Sequence, residues 1–278
     1  MTIKIYLSSV AIVAPGLEGW KESQAVLLEK EAYIKKDLTK IAPAILPANE
    51  RRRTTPLIKL AMHVAEQCIG EDLSRAQDYA TVFSSSDGDH SIHDKMCRAL
   101  NLPDRPVSPT NFHNSVHNAP AGYWAIAAKA QYNSNSLSAC DESFSAGLIE
   151  AATYTSIEQK PVLYVAYDVP APKPLDTVRH LEAAFGVGMC LSATKEENSI
   201  AELELNLDFS KDTEYTVCKD TLLDKLRLGN PAARSLPLLQ AIANKTNVHS
   251  SANAKSSVVI PHVQSTALKI NIKHYKII

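Results

Sequence analysis

The sequence predicts an α/β fold, on three observations. Residues 161–168, PVLYVAYD, are a continuous apolar run of strand length, the pattern of a strand buried on both faces. Leu57, Leu60, Ala61, Val64, Ala65 and Cys68 recur at helical spacing, an amphipathic helix that ends near Gly70 with Cys68 in the core. Residues 108–151 read as an extended Pro-bounded lead, a helix over about 119–130, a Ser/Asn-rich strand over about 134–139, a sharp turn and a second helix from about Ser143.

The other elements follow in chain order. Residues 3–14 alternate and are β-branched, a first strand stopped by Pro15-Gly16. Residues 19–33 read as helix, and 34–50, interrupted by proline, as irregular. Arg51-Arg52-Arg53 stand just before the 57–68 helix and read as a solvated surface run, the alternative being a phosphate-binding patch for a carrier protein or nucleotide. Residues 79–84 are a short apolar strand. Residues 170–174 are a Pro-rich loop, 183–193 a buried strand whose glycines allow close approach, and 200–209 an edge or half-buried strand. From residue 220 come a helix to 228, another over 236–244, a Ser/Asn/Lys-rich loop over 245–257 and a strand-like tail to 278.

Composition narrows the function. The 278 residues, 45% hydrophobic and 21% charged, suffice for a large core. A formal net charge of −1 lacks the basic excess of a nucleic-acid binder. Five cysteines without a CxxC pair read as reduced thiols, and the N-terminal apolar run is too short and interrupted to span a membrane; the expectation is a cytoplasmic protein. His90, His93, Asp87, Asp89 and Cys97 suggest a metal cluster, but no second close pair of soft ligands completes a tetrahedral set. They read instead as turn and cap residues, and neither a metal nor a cofactor is expected.

The chemistry-bearing stretch is the strand-to-helix corner at 134–151. Residues there face free backbone N–H groups and the positive end of a helix, where enzymes often place a nucleophile. Ser108-Pro109, Asn118-Ala119-Pro120-Ala121-Gly122, Ser134-Asn135-Ser136 and Glu150-Ala151 resemble the β-ketoacyl synthases of the thiolase fold, and Ala139-Cys140 invites reading as the A-C of their nucleophile turn. The resemblance implies a β-α-β-α-β-α-β-β unit over residues 1–210. That is essentially the N-terminal half of the fold, a mixed five-stranded sheet with helices, followed by a short divergent helical and strand segment over 211–278 within one domain.

The resemblance also sets a register. Aligned without a gap from Asn118 through Ser134 and Ser136 to Glu150-Ala151, the family's catalytic cysteine falls on Asp141, with Cys140 its neighbour. Placing Cys140 there requires a deletion and an insertion, which would turn Ser134 and Ser136 to the other face of the strand. A carboxylate at a helix mouth is solvated by backbone N–H groups but is a poor nucleophile towards a thioester. The family's two histidines, in H-G-T and near a G-F-G-G loop, also lack counterparts: none of the nine histidines is followed by glycine.

Such a combination is similar to the chain-length factors, non-catalytic subunits that pair with an active ketosynthase. Residues 5–20 and the HNAPAGYW motif at 117–124 look like a truncated branch that accompanies type II fatty-acid-like and aryl-polyene ketosynthases. The expected partner is a full-length β-ketoacyl synthase, with an acyl carrier protein engaged indirectly. Ser86, Asp87, His90 and Ile92 are candidates to line the acyl tunnel. Phe112, His113, Ser115, Val116 and Tyr123, with Ser134 and Ser136, are candidates for the tunnel or subunit interface. Packing roles for His113 and His117 stand beside a Cys140–His pair as alternatives. Two competing readings are an acyl-thioester transferase using Cys140 and a free-standing lipid-binding module.

Overall fold

The computed structural model describes residues 2–210, 213–244 and 256–275. The first strand, β1 (Thr2–Ala14), turns through Pro15-Gly16 into a two-residue β2 (Leu17–Glu18). Helices α1 (Trp20–Leu27), α2 (Ala48–Arg53) and α3 (Pro56–Ile69) lead to β3 (Ala80–Ser84). Then come α4 (His90–Leu100), α5 (Pro109–Asn114), α6 (Ala119–Ala127), β4 (Ser134–Leu137) and α7 (Ser143–Glu158). β5 (Val162–Asp168), β6 (Phe185–Ser192) and β7 (Ala201–Asp208) precede α8 (Thr221–Leu228), α9 (Leu236–Ala243) and a hairpin of β8 (Ser256–His262) and β9 (Thr266–His274).

The nine strands among the described residues join one sheet in the order β4-β3-β5-β6-β1-β7-β9-β8, with β2 on β1. β4, β3 and β5 are parallel, and β6 is antiparallel to both β5 and β1. This block is the expected mixed five-stranded sheet of a thiolase-like ketosynthase fold. The sheet does not stop there. The tail forms two strands rather than one, and with β7 it extends the same sheet past β1. β7 is therefore interior, and the edges are β4 and β8.

Alternation along the strands sorts their side chains into two cores. In β5, Val162, Tyr164 and Ala166 enter one cluster, with Phe144 and Leu148 of α7 and Leu238 and Leu239 of α9; Leu163, Val165 and Tyr167 enter the other, with α3 and Trp124 of α6. β1 changes parity along its length: Ile5 and Leu7 face the first cluster, and so do Val10 and Ile12. The register shift between Leu7 and Ser9 makes this possible, because one extra residue turns the following side chains over. Gly186 and Gly188 of β6 present backbone to α3. A Cβ on Gly186 would lie 2.6 Å from Val64 Cγ2, so the close approach read from the glycines is the observed packing.

Three local expectations differ. The helix over 19–33 ends at Leu27 because Glu29 turns left-handed (φ 56°); the chain then buries Tyr33, whose hydroxyl donates to Pro15 O at 2.7 Å. The three arginines stand in the last turn of their own helix, α2, where they oppose its dipole favourably. Ser108-Pro109 is not extended lead but helix start: Ser108 Oγ accepts from Asn111 N–H and Pro109 fills the first turn. Residues 245–255 of the predicted loop and the last three of the tail lie outside the described residues. No helix among the described residues is long and apolar enough to cross a membrane.

Candidate functional site

Because β3, β4 and β5 run the same way, their carboxyl ends meet at one margin of the sheet, where open α/β sheets place their ligands. β3 releases Ser85, Ser86, Asp87 and Gly88 there, β4 releases Ser138 to Asp141, and β5 ends on Asp168. The β4–α7 corner is locked by Ser143, whose Oγ accepts from Ala139 N–H (2.9 Å) and donates to Cys140 O (2.7 Å). Cys140 is left-handed (φ 49°) and exposed, and Asp141 follows in the same turn.

Asp141 is not held by the helix mouth, as the sequence suggested, but by two guanidinium groups. Arg179 Nη2 lies 2.7 Å from its Oδ1 and Arg234 Nη2 3.6 Å from its Oδ2. Arg179 also holds Asp87, Nε to Oδ2 at 2.7 Å, so one side chain ties the turns after β3 and β4. Burial opposes the charge on Arg179, but its bonds to Asp87 and Asp141 outweigh that and raise its pKa. Burial likewise pushes Asp87 up, and the bonds from Arg179 and Ser86 more than reverse it, so its pKa is lowered.

Beneath this pair sits Asp168, fully buried. Its Oδ1 accepts from Ser85 Oγ (2.9 Å), Ser86 N–H (2.8 Å) and Ser86 Oγ (2.9 Å), while its Oδ2 has no partner. Burial pushes its pKa up to about 7, with the serine bonds pulling the other way. Asn230 ties the region to the C-terminal segment: its side chain donates to Ala183 O (2.8 Å), and its Oδ1 accepts from Ala232 N–H (2.8 Å), fixing the turn that carries Arg234. His262, from the end of β8, places Nδ1 3.0 Å from Ser145 Oγ in the first turn of α7, and burial lowers its pKa. A cavity of about 870 Å³ opens beside it, lined among others by Glu142, Tyr215, Leu228, Arg234 and His262.

The sequence candidates separate into groups. Ser86 and Asp87 reach the corner with Cys140 and Asp141. His90 opens α4 above a buried Ile92. His113 and Tyr123 meet edge to face at 6.1 Å and line a different cavity, of about 580 Å³, with Arg53 and Ile126. Phe112 and Val116 are 65% and 54% exposed, and Ser115 Oγ donates to Phe112 O. Ser134, on the edge strand, accepts from Thr81 Oγ1 at 2.8 Å, and Ser136 Oγ is buried without a partner. His93 Nε2 approaches Ser115 O (3.3 Å), His117 Nε2 approaches Ser85 O (3.1 Å), and Asp89 caps α4. Among the described residues no three of His, Cys, Asp and Glu gather as metal ligands. Sequence reasoning missed Arg179, Arg234, Asp168, Asn230 and His262; only Asp168, a carboxylate closing an apolar strand run, carried a local signal.

Comparison with known proteins gives a family match and a fold match. Residues 20–256 match the family described as beta-ketoacyl synthase, N-terminal domain. No curated protein matches. Among solved structures, the chain is similar to the ketosynthase ApeO in complex with its chain length factor ApeC from Xenorhabdus doucetiae. There the identity is 24%, with 96% of this chain and 99% of that one covered and a TM-score of 0.71. It is also similar to AntDE:AntF, a type II acyl-carrier protein in complex with its ketosynthase bound to the hexaketide (11% identity, 99% and 100% covered, TM-score 0.76). The ishigamide ketosynthase/chain length factor matches at 10% identity, 99% and 100% covered, with a TM-score of 0.70. At these identities the likeness establishes the fold.

Proposed function

This chain belongs to the β-ketoacyl synthase family, and we propose that within it the protein is a chain-length-factor-like subunit. It pairs with a full-length, active ketosynthase and shapes the acyl tunnel of that partner in polyketide or fatty-acid-like synthesis, aryl polyenes included. Catalysis stays with the partner, and the acyl carrier protein engages this chain only indirectly. The complex is cytoplasmic and this subunit uses no cofactor or metal. Residues 1–210 supply the N-terminal half of the thiolase fold, and 211–278 are a divergent segment of the same domain.

One observation carries the reading: the corner is closed by the Asp87–Arg179–Asp141 ion chain. A carboxylate neutralised by guanidinium is a poor nucleophile, and the arginine fills space that a reacting acyl group would need. The partner's place is supported by the exposed edge strand β4 and by the exposed apolar side chains of Phe112 and Val116. An unpaired strand edge and exposed apolar surface are what a subunit interface covers.

Co-expression with a ketosynthase encoded beside this chain is expected to yield a stable heterodimer on size-exclusion chromatography. Phe112→Asp combined with Val116→Asp is expected to weaken pairing about 10-fold or more. A monomer that never co-elutes with such a partner would overturn the proposal. The chain length of the product, read by mass spectrometry, is expected to depend on this subunit.

A second reading has one observation in its favour: the residue in the left-handed conformation at the corner is Cys140, with an exposed thiol. Nucleophiles often sit on such sharp strand-to-helix turns. Under that reading a labelled acyl thioester modifies Cys140, and Cys140→Ala abolishes product. Under the favoured reading Cys140→Ala leaves product formation by the pair unchanged.

A further inference from the structure

We infer that Arg179 and Arg234 form a binding site for a monocarboxylate with an apolar body, which the chain keeps filled with its own Asp141. The two guanidinium groups come from distant segments and flank a single carboxylate. The Arg179 guanidinium is held independently of it, and so is the backbone that carries Arg234. Arg179 Nε is anchored on Asp87, and its backbone N–H donates to Leu175 O (3.0 Å). Arg234 sits on the turn fixed by the Asn230 side chain. Asp141 is the loosest member of the set, with a side chain 43% exposed on the turn that includes left-handed Cys140. If it swings out, Arg179 stays preorganised on Asp87 and Arg234 remains beside it on a fixed turn, ready for another carboxylate.

The present occupant also leaves donors unused. Arg234 approaches Asp141 only to 3.6 Å, and its Nε is buried without an acceptor. A carboxylate free of the backbone can lie parallel to the guanidinium and engage Nε and Nη2 together, the geometry arginine favours. Charge agrees: Asp87 balances one guanidinium, so with Asp141 displaced the pair carries one net positive charge, matched by one carboxylate. Glu142 and Glu214 on the cavity wall disfavour a second negative group. The body of the ligand has a place in the adjoining cavity of about 870 Å³, where Tyr215, Val217 and Leu228 offer exposed apolar surface. The inference concerns this chain alone and stands whether or not a ketosynthase pairs with it.

Hexanoate, titrated calorimetrically at constant ionic strength into the full chain, is the probe, with hexan-1-ol as its uncharged counterpart. A tethered competitor acts at an effective concentration of about millimolar, so Asp141→Asn and Asp141→Ala are each expected to bind hexanoate about 10-fold more tightly than wild type, or better. Adding Arg234→Gln is expected to cancel the gain, and hexan-1-ol is expected to show none. Arg234→Gln in the wild-type background reads the same contact without altering the turn and is expected to weaken hexanoate about 10-fold. Unchanged affinity in the Asp141 variants, a gain that survives Arg234→Gln, or equal binding of hexan-1-ol would each overturn the inference.

Discussion

Gly147→Ala is expected to destabilise the fold by about 3 kcal/mol, a large share of the 5–15 kcal/mol that holds a typical domain together. Gly147 lies in α7 directly over β5. A Cβ there would sit 2.6 Å from Tyr164 Cε2, 2.7 Å from its hydroxyl and 2.9 Å from Ser84 Cβ. The ring has no room to yield, since Tyr164 is fully buried and its hydroxyl donates to Phe144 O (2.6 Å) while meeting Ser84 Oγ (3.0 Å). Moving it would leave the Phe144 carbonyl unsatisfied inside the core. Gly122→Ala is the control. It sits in α6 with nothing within 4 Å of the added methyl, and is expected to gain up to about 1 kcal/mol from helix propensity. Urea denaturation of the two variants should separate them in opposite directions; equal midpoints would refute this account of how α7 seats on the sheet.

Asp168→Asn is expected to change how stability depends on pH. The native carboxyl titrates at about 7, against an ordinary value of 3.8 in the unfolded chain. Between those values the native state binds more protons than the unfolded state, so the contribution of Asp168 is fully present below about pH 4 and is lost as pH rises towards 7. Asparagine does not titrate, and its carbonyl oxygen still accepts from Ser85 and Ser86. The stability of Asp168→Asn relative to wild type should therefore rise between pH 5 and pH 8, by on the order of a few kcal/mol. Denaturation curves at the two pH values read this directly, and parallel pH profiles would show that Asp168 does not titrate in this window.

Much of the sheet was legible because its strands are buried on both faces and say so in β-branched, continuously apolar runs. β5 and β6 lie within two residues of their predicted limits, and α3 ends at the glycine read as its stop. Misreadings arose where one residue pattern serves two structures. Ser-Pro marks an extended segment or the start of a helix, and only the folded chain shows that Ser108 caps α5. The apolar spacing of 19–33 continues past Leu27, but Tyr33 is buried by a loop rather than by a helical face. At the site, Ser86, Asp87, Cys140 and Asp141 were legible from their turns. Arg179 was not, since 92 residues separate it from Asp87, nor was His262, which lies 117 residues from Ser145. Nothing local in a Pro-rich loop or a C-terminal hairpin signals that topology will bring those groups to one corner.

The position of β1 has a consequence for biosynthesis. Ile5 pairs with Leu203 and Tyr6 with Ser192, so this strand leaves the ribosome long before either flanking partner exists. At roughly 5–20 residues per second the wait is about 10 to 40 s, during which the apolar strand has its β6 and β7 partners missing and only its last two residues paired, with β2. Exposed in this way the nascent chain is prone to aggregate, and co-expression of a holding chaperone is expected to raise its soluble yield.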